Sequence, residues 1–136
     1  MNDIEKFLEE RLPKTLMKSL GIEITYIGKD RCEGTMPVDE RTWQPFGLLH
    51  GGASVALAES LASIASQMHI DHEKEIAVGH SISAHHLRTM KTGTVFGTAK
   101  AVHIGKRTHL WDIEMKDEEG RLISTSRCSI QVVEKR

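Results

Sequence analysis

Glu59 is the only charged residue between Gly51 and Met68, in a segment otherwise made of small and apolar residues. The segment predicts one long helix, because its larger apolar residues recur at helical spacing and form a stripe suited to packing on a sheet. The stripe consists of Leu57, Leu61, Ile64 and Met68. Glu59 lies on the other side, where an ionised carboxylate is costly to bury unless it is paired or serves a function. It is therefore a candidate catalytic group; the alternative is a glutamate that faces water at the mouth of a groove.

The helix face that carries Glu59 lacks the Lys and Glu residues of a solvated helix surface. It is predicted to contain mainly small residues: Gly52, Val55, Ala56, Ala62, Ser63 and Ser66. Small side chains let another backbone approach closely. We therefore expect a second subunit to cover this face, with the carboxylate of Glu59 at the subunit interface.

The length and composition of the chain fit one globular domain spanning residues 1–136. A net charge of −1 and only 4% aromatic residues argue against nucleic acid and membrane surfaces as partners. A run of 18 apolar residues is absent from the sequence, and its polar, acidic beginning is unlike a signal peptide. A cytoplasmic protein is expected.

Neither the cysteines nor the histidines form a recognisable metal or nucleophile motif. Cys32 and Cys128 lie in strand-like stretches and are expected to be reduced, packed thiols. His69 and His72 flank an acidic residue, yet the chain has no HExxH motif and no Cys/His ligand spacing. No metal is expected.

The hydrophobic pattern predicts an α+β domain rather than a doubly wound one. Helical spacing is expected in residues 3–11, and alternation predicts two strands joined by a turn at 28–30. An irregular segment with Pro45, Gly47, Gly51 and Gly52 leads into the long helix. Four further strands are predicted at residues 76–88, 94–104, 110–116 and 122–133. One antiparallel sheet curled around one long central helix is the compact arrangement of these elements.

The string QPFGLLHGGASVALAES, preceded by MPVDERT and followed later by HHLR, HIGKR and DEEGRLISTSR, resembles the hotdog-fold acyl-CoA thioesterases. The resemblance is strongest to the aroyl-CoA branch, which includes the 4-hydroxybenzoyl-CoA thioesterase, the proofreading thioesterase of aryl siderophore synthesis and the 1,4-dihydroxy-2-naphthoyl-CoA thioesterase of menaquinone synthesis. It extends over residues 21–133. It implies a hotdog fold and hydrolysis of acyl-CoA thioesters, with menaquinone biosynthesis as one possible setting.

The resemblance also implies roles for individual residues. Glu59 matches the catalytic carboxylate, as nucleophile or general base, and Gly51 matches the residue whose amide polarises the thioester carbonyl. Gln44 and His50 match side chains that align the carbonyl, and Ser63 matches a hydroxyl that orients water or the intermediate. An N–H at a helix N-terminus suits a developing oxyanion, which agrees with this assignment. For His50 and Gln44, simple backbone capping and loop ordering are the alternatives.

Coenzyme A carries phosphate groups, so a nearly neutral protein needs a local basic site to bind it. The resemblance implies contacts with the coenzyme by one glycine, one strand end and one turn. These residues are Gly79; His86, Leu87, Arg88 and Thr89; and His103, Ile104, Gly105, Lys106, Arg107 and Thr108. For the turn charges, an ordinary solvated surface is the alternative. No separate cofactor is implied, because coenzyme A is part of the substrate.

The spacing of Gly51 and Glu59 bears on assembly. Eight residues along one helix span about 12 Å, too far for both groups to act on one carbonyl carbon. The two groups are therefore expected to come from different subunits of a homodimer with shared active sites, and a dimer of such dimers is expected.

Two other functions compete with hydrolysis. A hotdog hydratase or dehydratase would act on the β-carbon through a histidine, but the HFP-type and DxxxxH signatures of those families are absent. A non-catalytic acyl-CoA-binding module is the second. The acyl group is aromatic by resemblance, although residues near Phe46, Leu48 and Met90 would also accept short aliphatic chains.

Overall fold

The computed structural model describes residues 3–136 as one α+β unit. Two short N-terminal helices, α1 and α2, precede the sheet, and the long helix α3 lies between its second and third strands. The helices are α1 (Asp3–Arg11), α2 (Leu16–Leu20) and α3 (Gly51–Ser66), with 3-10 turns at Leu12–Lys14 and Gln67–His69. The strands are β1 (Glu23–Ile27), β2 (Arg31–Pro37), β3 (Glu75–His86), β4 (Thr94–Ile104), β5 (Thr108–Lys116) and β6 (Leu122–Glu134).

The strands form one antiparallel sheet in the order β1-β2-β4-β5-β6-β3. Helix α3 contacts every strand of this sheet, which therefore curls around it. The hotdog arrangement expected from the sequence is confirmed. Strand β3 lies at one edge of the sheet and pairs with β6 only, so the other side of β3 is unpaired within residues 3–136.

The predicted boundaries differ from the observed ones by a few residues. Helix α3 ends at Ser66 rather than Met68, because the chain tightens into a 3-10 turn there, as helix ends often do. Strand β5 begins two residues before the predicted start, and β3 is shifted toward the N-terminus by one to two residues. The predicted limits 94–104 for β4 agree with the structure.

Close packing of α3 on the sheet depends on glycine residues in the strands beneath it. Leu57 and Leu61 are fully buried, and each contributes about 1.5–3 kcal/mol by leaving water. A methyl group on Gly34 or Gly97 would lie 2.9 Å or 2.8 Å from a terminal carbon of Leu61. The helix therefore sits in a channel that glycines on β2 and β4 leave open.

The prediction of which residues form the second face of α3 was partly wrong. Ala62 and Ser66 are fully buried within the single chain, although we expected them on the face that a partner covers. The curled sheet covers more than half of the helix circumference, so the residues flanking the Leu57–Leu61 side are enclosed as well. Val55, Ala56 and Ser63 are only partly buried and remain on the open face with Glu59.

A buried polar cluster fixes the C-terminal end of α3 to β5. The indole N–H of Trp111 donates to Oγ of Ser66 at 2.8 Å, and Nδ1 of His109 lies 2.8 Å from the same oxygen. The ring of His69 packs edge-on against that of His109, with 5.6 Å between the centroids. Burial, and secondarily the neighbouring His69, lowers the pKa of His109 below its ordinary value of 6.5.

The two cysteines are free and buried, as expected from the sequence. Burial raises the pKa of each thiol to about 12, with a smaller contribution from Glu33 at Cys32 and from Glu59 at Cys128. Between residues 3 and 136, the structure contains no helix with the length and hydropathy of a bilayer-spanning segment.

The lowered pKa of His109 predicts a loss of stability in acid. The folded state disfavours the charged imidazole, so this contribution is complete above the unfolded-state pKa and is lost as the pH falls through the folded-state pKa. Melting temperatures measured between about pH 8 and pH 5 should fall more steeply for the wild type than for His109→Gln, which does not titrate. Parallel curves for the two proteins would contradict this prediction.

Candidate active site

The segment before α3 folds into a tight turn that is ordered by Gln44. Oε1 of Gln44 accepts hydrogen bonds from the backbone N–H groups of Phe46, at 2.5 Å, and Leu48, at 3.4 Å. Trp43 and Leu49 pair across the base of the turn, and the indole N–H of Trp43 donates to the carbonyl of Lys91. The amide oxygen of Gln44 thus orders the loop, which leaves the amide nitrogen as the part of this side chain that can contact a substrate.

His50 caps the N-terminus of α3. Its Nδ1 accepts the backbone N–H of Gly52 at 2.8 Å, while the backbone N–H of His50 donates to the carbonyl of Thr42. An accepting Nδ1 places the proton of the neutral ring on Nε2, which is then a hydrogen-bond donor. The capping alternative considered for His50 is therefore correct for one ring nitrogen, and the other remains suited to aligning a carbonyl.

Gly51 provides the first N–H of α3. Within residues 3–136 the structure records no acceptor for this N–H, whereas the next N–H groups bond to His50. A methyl group on Gly51 would lie 2.9 Å from Nε2 of His86 on β3. Gly51 thus presents a helix-terminal donor next to an imidazole, in a space that a side chain would fill.

Glu59 lies in the middle of α3, half-buried, with its carboxylate against β3. A methyl group on Gly79 would lie 2.7 Å from Oε2 of Glu59 and 2.9 Å from its Cδ. The buried thiol of Cys128 on β6 is also close enough for the carboxylate to raise its pKa. Ser63, one turn further along α3, is half-buried on the same open face.

Gly51 contacts the C-terminal end of β3, whereas Glu59 contacts its N-terminal half. Gly51 faces His86, the last residue of β3, and Glu59 faces Gly79, seven residues earlier. With about 12 Å of helix between them, the two candidate groups lie in separate candidate half-sites of the single chain.

The two segments expected to bind the coenzyme are also separated within one chain. His86 at the end of β3 pairs with Ser124, whereas Thr108 at the end of the 103–108 turn pairs with Gln131. Gln131 in turn pairs with Val78, beside Gly79. The 103–108 turn and the 86–89 segment therefore lie at opposite ends of the sheet, and nearly all of these residues are exposed.

The part of the chain that the structure describes contains no group of three His, Cys, Asp or Glu side chains arranged to hold a metal ion. The ring of His69 instead packs on His109 and Trp111, and its Nε2 contacts the backbone carbonyl of Lys29. The neighbouring Asp71 accepts backbone N–H bonds at the start of a turn.

Comparison with known proteins identifies the family. Residues 46–124, more than half of the chain, match the model of the thioesterase superfamily. The chain belongs to this superfamily. It is 52% identical over 121 residues to the putative esterase ComA2 of Bacillus subtilis (strain 168), a match that covers 89% of this chain and 96% of that protein.

Two further comparisons support the assignment of this chain to the thioesterase superfamily. The 1,4-dihydroxy-2-naphthoyl-CoA hydrolase of Escherichia coli (strain K12) is 48% identical over 114 residues, covering 84% of this chain and 83% of the relative. A crystal structure of a mutant thioesterase from Pseudomonas aeruginosa superimposes with a TM-score of 0.92 at 39% identity, covering 99% and 96% of the two chains. The enzyme class expected from the sequence, an acyl-CoA thioesterase, is thereby confirmed.

Sequence reasoning missed the contacts that β3 makes with the helix. Cys128 was treated as a packed thiol, and its proximity to Glu59 was not expected. Gly79 was expected to contact the coenzyme, whereas the structure also places it directly against Glu59. A glycine inside a strand is a known sign of close approach by another group, and it was the available signal.

Proposed function

We propose that this thioesterase hydrolyses acyl-CoA thioesters with the Glu59 carboxylate as nucleophile or general base and the Gly51 N–H as the donor to the carbonyl oxygen. The observation that carries the proposal is that β3 is met by both a helix-terminal N–H at Gly51, which has no acceptor within residues 3–136, and the half-buried carboxylate of Glu59. Negative charge develops on the carbonyl oxygen as the carbon is attacked, and a fixed donor stabilises it.

Either role of Glu59 leads to the same products. As a base, the carboxylate takes a proton from water, which attacks the carbonyl and releases the coenzyme thiolate. As a nucleophile, it displaces the thiolate to form an anhydride that water then hydrolyses. Both need an ionised group near the acyl carbon. In this proposal the carbonyl is aligned by Nε2–H of His50 and the amide nitrogen of Gln44, since Nδ1 of His50 and Oε1 of Gln44 already accept backbone N–H groups.

A homodimer with shared sites would join the two half-sites. Antiparallel pairing of β3 with the same strand of a second copy brings the Gly79 end of one strand next to the His86 end of the other. Glu59 of one chain then faces the partner's Gly51. The same pairing brings the 86–89 segment of one chain close to the partner's 103–108 turn, so that both basic segments can contact one coenzyme.

The exposed edge supports this assembly. The outer edge of the 12-residue strand β3, unpaired within residues 3–136, presents backbone N–H and C=O groups that natural proteins normally cover. Ile76, Val78 and Leu87 on or beside β3 are each at least 40% exposed in the single chain. Pairing of β3 would satisfy the backbone groups of this edge around a closed two-fold axis. Further association into a dimer of dimers remains a prediction from the sequence.

An aromatic acyl group is the proposed substrate. The E. coli relative is named for a naphthoyl thioester. In this chain the ring of Phe46, at the tip of the Gln44 turn, is 86% exposed, and that of Trp43 is 41% exposed. Aromatic rings beside a thioester site favour a flat acyl group through stacking and burial. Residues near Leu48 and Met90 complete the expected pocket.

The role of Glu59 is tested by Glu59→Gln, which keeps the side-chain shape and removes the ionised group. The kcat for thioester hydrolysis should fall at least ~10³-fold while the melting temperature stays close to that of the wild type. Release of free thiol from an aroyl-CoA is the measurement, because a hydratase would leave the thioester intact and a binding module would give no turnover. A folded Glu59→Gln protein with wild-type turnover rules out the proposed mechanism.

The coenzyme site is tested by Arg88→Ala and Arg107→Ala. Each loses a charge-assisted contact with phosphate, so the KM for acyl-CoA should rise roughly tenfold. The KM for the matching pantetheine thioester, which lacks the nucleotide phosphates, should hardly change. Equal effects on both substrates would show that these arginines act on the fold or on the acyl end.

The shared site is tested by mixing two inactive variants. Glu59→Ala removes the carboxylate, and Gly51→Val blocks the amide by placing a side chain against His86. Each homodimer should be inactive, but a heterodimer has one site with both defects and one with neither. Co-refolded mixtures should therefore regain at most about half the wild-type activity per heterodimer. Mixtures that contain heterodimers by native mass spectrometry and remain inactive would show that each chain builds its own site.

A further inference from the structure

The carboxylate of Glu59 lies on a part of β3 that has no side chain. A Cβ atom at position 79 would be 2.7 Å from Oε2, 2.9 Å from Cδ and 3.3 Å from Cγ of Glu59. Contacts below 3.0 Å are essentially never made by real Cβ atoms. The carboxylate can occupy its present position only because residue 79 is glycine.

The direction in which Gly79 faces is set by an irregularity in β3. Side chains of a regular strand alternate between its two faces, so residues seven apart point to opposite sides. Gly79 and His86 are seven apart, yet both face α3, since one meets Glu59 and the other meets Gly51. The strand must therefore lose its alternation once between them.

His80 is the residue where this happens. Gly79 pairs with Ile130 and Ser81 pairs with Ser129, so two steps along β3 match one step along β6 and His80 is the extra residue of a β-bulge. Before the bulge, Gly79 lies opposite the buried Ile130; after it, Ile82 lies opposite the buried Cys128. Bulges of this kind redirect side chains beside active sites.

The bulge therefore has two effects on the half-sites. It makes Gly79 the last residue of β3 before the bulge that faces α3, and the next such residue is Ile82. The Glu59 carboxylate lies against Gly79, where this row of side chains is interrupted. It also changes the phase of the rest of β3, so that His86 rather than His85 reaches the helix N-terminus at Gly51. With regular pairing from Gly79 onward, His85 would lie opposite Ser124 and would face Gly51 in place of His86.

We propose that Gly79, turned toward α3 by the bulge at His80, is a positioning residue that sets where the Glu59 carboxylate lies relative to the thioester. This inference rests on the proposed role of Glu59. It differs from the coenzyme contact implied by the family resemblance, because it assigns Gly79 to the carboxylate. A coenzyme contact affects KM, whereas the position of the carboxylate affects kcat.

The test is Gly79→Ala, assayed with an aroyl-CoA substrate. The added methyl group pushes the end of a flexible side chain, so the fold should be retained, and alanine is at least as favourable as glycine inside a strand. The kcat should fall by between about tenfold and 10²-fold, since displacing a reacting group by about 1 Å costs up to that much. The KM for acyl-CoA should change by less than about twofold.

Val133→Ile is the matched control. It adds one methyl group to β6, the strand paired with β3, at a side chain that is 37% exposed, and it should leave kcat near the wild-type value. A comparable loss of kcat in Val133→Ile would mean that the β3–β6 pair responds to any added volume, and it would overturn the assignment to Gly79.

A double-mutant cycle with Glu59→Asp shows whether Gly79→Ala acts through its contact with the Glu59 carboxylate or through a general distortion of the fold. The aspartate carboxylate is one methylene shorter and withdraws from position 79. Gly79→Ala should therefore lower the residual kcat of Glu59→Asp by no more than about twofold, because the two effects are coupled through one contact. An equal fold-loss in both backgrounds, or a rise in KM at constant kcat, overturns the inference. Wild-type turnover by Glu59→Gln, measured in parallel, instead removes the proposed function on which the inference rests.

Discussion

The close approach of α3 to the concave face of the sheet is the constraint on which the rest of the structure depends. Leu61 can reach its buried position only because Gly34 and Gly97 carry no side chains beneath it. Once the sheet has curled around the helix, a single strip of α3 remains outside the core. Glu59 lies in this strip, and the edge strand β3 is the surface it meets.

Strand β3 connects the packing of the domain to its chemistry. One side of this strand is paired with β6, its inner face contacts both Gly51 and Glu59, and its other side is unpaired within residues 3–136. The chemistry of thioester hydrolysis needs a donor and a carboxylate at one carbonyl, and α3 keeps these groups about 12 Å apart. In the proposed dimer, the edge that must be covered is the same edge that joins them, so stability and catalysis favour the same assembly.

Much of the fold was predictable because it depends on local periodicity. The apolar stripe on α3 and the alternation in β4 gave the element types and, for β4, the observed limits. The full width of the buried face of α3 was not predictable, because Ala62 and Ser66 suit either a core or a surface by residue type. Their burial results from the curvature of the sheet, and for Ser66 from hydrogen-bond partners that lie more than 40 residues away.

The sequence by itself determined which residues are available for chemistry: a lone carboxylate in an apolar helix, a glycine at the start of that helix, and a family motif around both. Only the tertiary structure decided what these groups contact. The bulge at His80 changes the facing of every later residue of β3, and a one-residue change of phase leaves no trace in composition or periodicity of the neighbouring segments. Which side chains face the helix is therefore set by strand pairing, which sequence-local patterns do not encode.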